Sequence, residues 1–184
     1  MSDLQIPQAR AAAADEARAE SFAAKKARLE RDHLRAPAVR PATIGRGVHH
    51  LALICSDPDR TIAFYQDVVG FPLVEVFENR DYPGSTHFFL DIGNGNLLAF
   101  FDFPGLALAP WQETLGNMQH VAISVSPGAY AAVRSRLEAR GIEYFGPDRG
   151  VEGSIYFRDP DGAQVELTVD PLVQMRGRAL GTAG

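Results

Sequence analysis

Apolar residues alternate with polar or small residues in several short stretches beyond residue 46, and this period of two predicts half-buried β-strands. In chain order the stretches read HLALICS, FPLVEVF, THFFLDIG, NLLAFFDF, HVAISVS, IEYFGP, SIYFRD and AQVELTV. Two longer stretches, at about Pro58–Val69 and Gly128–Arg140, have the composition of helices. Each ends at a glycine, Gly70 or Gly141, which suits the left-handed position that follows a helix.

The chain repeats itself after about 70 residues. HLALICSDP begins at His50 and HVAISVSPG begins at His120, and both read His, apolar, Ala, apolar before they reach a serine. The separation from this histidine to the helix-ending glycine is 20 residues in the first copy and 21 in the second. The turns DIGNGN and DPDGA then predict a hairpin in each half. The sequence therefore predicts an α+β fold in which two β-α-β-β-β modules form a curved, eight-stranded mixed sheet around a cavity, with the helices outside.

Regions of different composition flank and join these modules. Residues 8–35 are rich in Ala, Glu, Arg and Lys and contain no Gly or Pro, which predicts a helix. The connection 102–117 between the modules is long, and such loops often cover sites. The predicted boundaries are 1–46 for an N-terminal helical extension and linker, 47–170 for the repeat domain with modules at about 47–104 and 118–170, and 171–184 for a flexible C-terminal tail.

Composition narrows the classes of function. The 184 residues carry a formal net charge of -5 and no dense basic stripe, which argues against a nucleic-acid partner. Cys55 is the only cysteine, so an intramolecular disulfide is impossible and a thiolate metal cluster is disfavoured. No apolar run approaches the roughly 18 residues of a membrane span, and the N-terminus lacks a basic segment followed by an apolar core. We therefore expect a cytoplasmic protein that acts on a small molecule, without nucleic-acid or membrane partners.

Strand parity assigns faces to the residues of the repeat, because neighbouring residues of a strand point to opposite sides. In the first strand Leu51 should pack toward the helix together with His49, which leaves His50 on the cavity side. We interpret His49 as a packing residue or as a support for its neighbour. The same reasoning puts His120 and Glu166 on the cavity side of their strands. Two imidazoles and one carboxylate form the facial triad that holds a divalent metal with positions left open; the alternative is three ordinary polar residues on a half-exposed sheet.

Four stretches resemble the vicinal oxygen chelate superfamily over about residues 46–170: VHHLAL, IAFYQDVVGF, MQHVAISV and YFRDPDGAQVELT. This superfamily includes glyoxalases, bleomycin-resistance proteins, fosfomycin-resistance thiol transferases and extradiol ring-cleaving dioxygenases. The resemblance implies metal ligands at His50, His120 and Glu166, and a homodimer. It also implies a divalent metal ion, with Fe(II) or Mn(II) favoured and Zn, Ni or Mg possible. Whether His50 joins the other two ligands within one chain or from a second chain is open at this level.

At several positions this chain differs from individual subfamilies, and these differences narrow the activities that the resemblance implies. Glyoxalase places a fourth protein ligand, a carboxylate, where this chain has Ala99, so its isomerisation is disfavoured. Extradiol dioxygenases have a tyrosine ten residues before the metal-binding glutamate, where Tyr156 stands here, although thiol transferases also place a tyrosine there. Fosfomycin-type transferases have a threonine two residues past the first ligand, where this chain has Ala52. The additional histidine that dioxygenases use is missing from the corresponding stretch, GNGNLL, and His87 is the nearest candidate.

The resulting hypothesis is an extradiol-type, ring-cleaving dioxygenase-like oxidoreductase with a small, oxygen-chelating substrate. We expect Tyr156 to hydrogen-bond the chelated oxygen, and His87, whose unperturbed pKa is about 6.5, to move a proton. Four further side chains are expected to contact the substrate: Phe89, Phe101, Ser154 and Ser124. The alternatives are a glyoxalase-like isomerase or lyase, a thiol transferase, and a non-catalytic drug-binding protein of the bleomycin-resistance type.

Overall fold

The computed structural model describes residues 20–146, 153–175 and 178–179, and it divides into two compact units. One unit ends at Ile44, and the other is Gly45–Ala179. The domain boundaries proposed above, at 46 and 170, stay predictions. Within the described part of the chain, no helix has the length and apolar character that crossing a membrane requires.

The N-terminal unit contains one helix, α1, which is Phe22–His33. The helix begins at Ser21, whose hydroxyl accepts a hydrogen bond from the backbone N–H of Ala24 and so satisfies one of the free donors of the first turn. α1 buries none of its residues, and its large apolar side chains, such as Phe22, are exposed. The predicted N-terminal helix is thus confirmed in its second half, while residues up to 19 lie outside the described part of the chain.

The first module folds as β-α-β-β-β. Its helix begins at Asp57, whose carboxylate accepts a hydrogen bond from the N–H of Arg60, and ends at Gly70, whose φ of 97° is the left-handed conformation expected there. The sheet order is β1-β4-β3-β2, with β1 parallel to β4 and the other pairs antiparallel. The elements are β1 His50–Ile54, α2 Pro58–Ala63 continuing as a π-helical segment Phe64–Val69, β2 Leu73–Glu78, β3 Thr86–Asp91 and β4 Leu97–Phe101.

The second module repeats this plan with a shorter edge strand. Its sheet order is β5-β8-β7-β6, again with one parallel pair, β5 with β8. A two-stranded antiparallel sheet, β9 with β10, follows it. The elements are β5 Val121–Ser124, α3 Pro127–Ala139, β6 Tyr144–Phe145, β7 Ser154–Arg158, β8 Gln164–Thr168, β9 Gln174–Met175 and β10 Arg178–Ala179.

The α+β fold of two repeated modules is confirmed, and the eight predicted strands are arranged as two four-stranded mixed sheets. Their registers are equivalent, since Ala52 pairs with Ala99 in the first sheet at the position where Ala122 pairs with Glu166 in the second. On the other side of Ala99, β3 supplies Phe89. The alignment of the two modules on their glycine turns therefore holds at the level of individual strand positions.

One hydrophobic core serves both modules. It is formed by side chains from one face of each sheet and from the inner sides of both helices. Burial of each large apolar side chain stabilises the folded state by about 1.5–3 kcal/mol relative to leaving it exposed. The largest fully buried apolar members are Tyr65, Phe88, Phe100, Phe157, Leu90, Leu98, Leu137, Ile155, Leu167, Val133 and Val165. Because side chains alternate along a strand, the residues between these point to the opposite face of each sheet.

Polar contacts tie the first module to the turn between β7 and β8. The buried hydroxyl of Tyr65 donates to Oδ2 of Asp159 over 3.1 Å. Beside it, Ser56 donates through its backbone N–H and its hydroxyl to the carboxylate of Asp161, at 3.0 and 2.5 Å, and Arg60 donates to the same carboxylate at 2.8 Å. The DPDG turn thus holds the two modules together as well as closing a hairpin.

Candidate metal centre

The second module brings two of the predicted metal ligands into contact. Glu166 lies in the middle of β8, and His120 lies directly before β5, the strand beside β8. Nε2 of His120 is 2.9 Å from Oε2 of Glu166, and Glu166 is only 8% exposed. The other ring nitrogen of the histidine, Nδ1, contacts Oε1 of Gln119. Both donor atoms therefore stand side by side at one point of the sheet.

The spacing of this pair fits a divalent cation. Two ligand atoms about 2.1 Å from one ion, at a right angle to each other, are about 3 Å apart. The separation of 2.9 Å between the imidazole nitrogen of His120 and the carboxylate oxygen of Glu166 agrees with this value. Imidazole and carboxylate are also donors that first-row divalent metals accept together.

Tyr156 stands next to the same pair. It is the register partner of Glu166 on β7, and its ring centroid is 5.8 Å from that of His120. Phe145 on β6 stacks on Tyr156 with 5.1 Å between the centroids and 17° between the planes, which fixes the direction of the phenol ring. The structure thus brings together three sequence-predicted site residues of the second module.

The first module carries the third predicted ligand in a different environment. His50 begins β1 and is exposed, and its ring lies 5.6 Å from Phe89 and 6.1 Å from His87 between centroids. Nδ1 of His50 is 2.8 Å from Nδ1 of His49, so the adjacent histidines contact each other directly. His49 is exposed, which shows that its interpretation as a packing residue was wrong; its contact with His50 agrees with the other interpretation.

His87 lies among aromatic rings on the same face as His50. Its ring stacks on Phe101 with 3.7 Å between the centroids and 18° between the planes, and Phe77 meets it edge-on at 5.1 Å. Burial first, and the nearby His50 second, lower the pKa of His87 below its ordinary value. Nε2 of His87 is buried without a hydrogen-bond partner, an unusual state for a polar atom within a sheet face.

Within one chain the three predicted ligands do not meet. Among the described residues, no three His, Cys, Asp or Glu side chains are close enough to hold one metal ion. Parity placed His50 and Glu166 correctly on the face of each sheet that points away from the core. Parity cannot say how two sheets are oriented, and here both cover one shared core, so the two site faces belong to separate surfaces of the chain.

The four residues predicted to contact the substrate lie in different environments. Phe89 and Phe101 flank His87 and form an aromatic wall beside His50. Ser154 is buried at the start of β7, and the hydroxyl of Ser124 donates to the backbone oxygen of residue 170 over 2.7 Å, so that hydroxyl already has an acceptor in the chain.

Sequence reasoning missed two neighbours of the site. Gln119 contacts His120, and Phe77 contacts His87. The repeat held a signal for Gln119, because Gln119 stands directly before His120 as His49 stands directly before His50.

The connection between the modules lines a groove away from the ligands. This groove has a volume of about 1210 Å³ and is bounded by the connection, by β1 and by the DPDG turn. Trp111 stands at its border, donates its indole N–H to the carbonyl of Met118 over 3.1 Å and lies under the guanidinium of Arg158 at 5.1 Å. None of the candidate ligands lines the groove, so the connection does not cover the candidate metal centre within one chain.

Two β-α-β-β-β modules, each with a histidine at or directly before the start of its first strand and one with a carboxylate beside it, define a class of paired-module α+β proteins. Residues 47–167 match the family described as the Glyoxalase/Bleomycin resistance protein/Dioxygenase superfamily, which is more than half of the chain. The chain belongs to this superfamily.

The relatives of this chain carry the names of different activities. The chain is 30% identical over 129 residues to the Bacillus subtilis protein named "Putative ring-cleaving dioxygenase MhqE", covering 67% of this chain and 41% of that protein. It is 28% identical over 137 residues to Metallothiol transferase FosB of Lysinibacillus sphaericus, covering 69% of this chain and 84% of the relative. A crystal structure of a Bacillus subtilis protein described as a "putative dioxygenase" has a TM-score of 0.58 at 30% identity, over 66% of this chain and 40% of that one. The chain thus spans about two fifths of the length of these dioxygenase relatives.

Proposed function

We propose that this chain is a metal-dependent enzyme whose divalent cation is held by His50, His120 and Glu166. The observation that carries this proposal is the pair of donor atoms 2.9 Å apart on His120 and Glu166, one of them almost fully buried. A buried carboxylate is costly unless a charged or hydrogen-bonding partner compensates it, and a cation at this point supplies that compensation. Membership of a superfamily that includes a named metallothiol transferase supports a metal of this kind.

The site proposed is shared between two copies of the chain. The face with His50 and the face with His120 and Glu166 both point away from the common core, so a second copy can set one against the other. A two-fold axis repeats every such contact, and a homodimer would therefore contain two identical sites. In each site His50 comes from one copy, while His120 and Glu166 come from the other.

A divalent metal held by these residues would supply a Lewis acid for a substrate with two neighbouring oxygens. Fe(II) or Mn(II) is the proposed ion. The side chains of this chain would orient the substrate: the Tyr156 hydroxyl would donate to one of its oxygens, and the rings of Phe89 and Phe101 would contact its apolar part. His87, beside the same rings, would accept the proton of a substrate hydroxyl.

Ring cleavage of a catechol is the reaction proposed. Its support is the similarity to relatives named as ring-cleaving dioxygenases, the aromatic wall beside His50, and Tyr156 ten residues before Glu166. Dioxygenase chemistry puts both oxygen atoms into the product, so a panel of catechols should consume oxygen and substrate one to one with Fe(II) present. Tyr156→Phe should lower kcat at least tenfold, because it removes one positioned donor. Tyr144→Phe, which removes a hydroxyl that donates to the exposed Glu138, is the matched control and should leave the rate unchanged.

A thiol transferase is the second candidate. The chain spans 84% of FosB and 83% of Glutathione transferase FosA of Serratia marcescens, much more than of the dioxygenase relatives. Turnover that proceeds equally without oxygen, and that requires an added thiol, would favour this reading over ring cleavage. A glyoxalase-like reaction is less well supported, because Ala99 offers no donor at the fourth ligand position.

A non-catalytic drug-binding protein is the third reading, and metal analysis separates it from both enzymes. The purified protein should hold one divalent ion per chain, and His120→Ala should remove it. Absence of stoichiometric metal, together with unchanged ligand affinity in that variant, would contradict an enzyme of either kind.

A mixing experiment tests the shared site. Neither His50→Ala nor His120→Ala should bind metal alone. After unfolding and refolding together, a mixed dimer has one site with both substitutions and one site with neither, so metal binding should return. If all three ligands came from one chain, every site in the mixture would keep one damaged ligand, and no binding would return.

A further inference from the structure

The residue directly before each candidate ligand histidine contacts the same ring nitrogen of that histidine. In the first module Nδ1 of His50 is 2.8 Å from Nδ1 of His49. In the second module Nδ1 of His120 contacts Oε1 of Gln119. The two modules therefore place different residues, a histidine and a glutamine, at one equivalent position with one equivalent contact.

This contact matters because an imidazole has only two nitrogens. A neutral histidine carries one hydrogen, and the nitrogen that binds a metal must be the one without it. When Nε2 binds, Nδ1 carries the hydrogen, and a hydrogen-bond acceptor on Nδ1 favours that tautomer and fixes the plane of the ring. The residue before each ligand is the one that touches Nδ1 in this structure.

Gln119 and His49 can both act as the acceptor. The amide oxygen of Gln119 has no hydrogen, so Nδ1 of His120 donates to it, and Nε2 is left facing Glu166 at 2.9 Å. Nδ1 of His49 accepts when its own hydrogen is on Nε2, and the exposure of His49 lets water hydrogen-bond that group. In both modules the remaining nitrogen of the ligand histidine is then Nε2 without a hydrogen.

We propose that His49 and Gln119 are positioning residues, each of which accepts the Nδ1–H of the histidine that follows it and so holds the Nε2 of His50 and His120 ready for the metal. The inference deepens the proposed metal site and rests on it. It also accounts for the histidine doublet at the start of β1: the second histidine binds, and the first selects its tautomer.

Exchange of the two acceptors between modules gives a sharp test. His49→Leu and Gln119→Leu remove the hydrogen-bond acceptor. His49→Gln and Gln119→His keep an acceptor, because each introduces the residue type found at the equivalent position of the other module. His33→Leu and Gln112→Leu, both at exposed positions, are matched controls for the same changes of side chain. Zinc is the probe, titrated by calorimetry into the metal-free full chain, and nitrogen-15 NMR reports which imidazole nitrogen carries the hydrogen.

We expect each leucine substitution at the acceptor positions to weaken zinc binding by about 10–100-fold, the usual effect of losing a partner of a ligand histidine. The two exchange variants and the two controls should bind zinc like the unsubstituted protein. In the zinc-loaded protein the Nδ1-bound hydrogens of His50 and His120 should exchange slowly with water, and each leucine variant should lose the slow signal of its own histidine. Unchanged affinity in both leucine variants, or equal loss in the leucine and exchange variants, would overturn the positioning role.

Failure of the metal site gives a different result. If the unsubstituted protein binds no zinc, the proposed metal centre is wrong, and the metal-free spectra decide the positioning role. A hydrogen on Nδ1 of His50 that moves to Nε2 in His49→Leu would keep that role, whereas a spectrum that the substitution does not alter would remove it.

Discussion

Cys55 follows β1 directly and is only 3% exposed. Burial raises the pKa of its thiol from 9.0 to about 12, because the thiolate would lose its hydration in the core. The thiolate is the reactive form of cysteine, so this side chain is chemically quiet near neutral pH. At the scale of the residue, the one cysteine of the chain is a packing group and not a nucleophile.

Labelling with an aromatic disulfide reagent checks this conclusion. At about pH 8 the folded protein should react slowly, while the chain unfolded in guanidinium should release one equivalent of chromophore at once, since an exposed cysteine has a pKa of about 8.5. Fast reaction of one equivalent in the folded protein would contradict the burial of Cys55.

The same shift predicts how stability depends on pH. Between pH 9 and 12 the unfolded chain has lost the thiol proton of Cys55, while the folded chain still holds it. The folded state binds more protons in this window, so the free energy of unfolding falls as the pH rises. Cys55→Ala should reduce this fall, as measured by urea denaturation at several alkaline pH values, and equal slopes in both proteins would speak against it.

The helix of the first module shows what a sequence pattern can and cannot predict about an element. Its composition predicted a start at about Pro58 and its glycine predicted the end at Gly70, and the structure has both, with Asp57 as the capping residue. The pattern did not predict that its second half is π-helical, with the N–H of Gly70 donating to the carbonyl of Tyr65. The same segment carries the hydrogen bond from the Tyr65 hydroxyl to Asp159, which lies 94 residues away, and local periodicity does not reveal a contact of that range.

The contribution of the Tyr65–Asp159 hydrogen bond to stability can be measured by removing it. Tyr65→Phe leaves one of the acceptor sites of buried Asp159 unfilled and should lower the free energy of unfolding by about 1–3 kcal/mol. Tyr144→Phe is the matched control, because the hydroxyl of Tyr144 donates to exposed Glu138, and its effect should stay within about 0.5 kcal/mol. Urea denaturation compares them, and equal effects would mean that the buried bond adds nothing special.

For the whole molecule, the repeat predicted both modules and the face of each candidate ligand, because parity and turn chemistry are local. It did not predict that His50 would be separate from His120 and Glu166 within one chain. The relative orientation of the two sheets depends on which of their faces pack into one core. The pattern of apolar residues on the helices and strands is compatible with more than one way of packing the modules together, so it does not fix this orientation. The alignment of Ala99 with Glu166 held for the same local reason, since Ala99 pairs with Ala52 as Glu166 pairs with Ala122.

A metal held by residues of two copies binds the dimer and not the monomer, so metal and association should strengthen each other. Addition of a chelator should shift the protein toward monomer in sedimentation at a concentration near the dissociation constant. The effect should be about 2.7 kcal/mol for each site if the metal had been at a hundred times its dissociation constant. Glu166→Gln should not respond to chelator, and a metal-binding protein whose sedimentation ignores the chelator would contradict the shared site.

Ala99 is fully buried, between Ala52 on β1 and Phe89 on β3, at the position that carries Glu166 in the other module. A carboxylate in place of Ala99 would have to enter a fully buried position, and such an enlargement costs about 1–3 kcal/mol in overpacking. A descendant of this sequence would therefore lose stability before a carboxylate at this position could serve as a further ligand, so that such a change in evolution would depend on a reserve of stability.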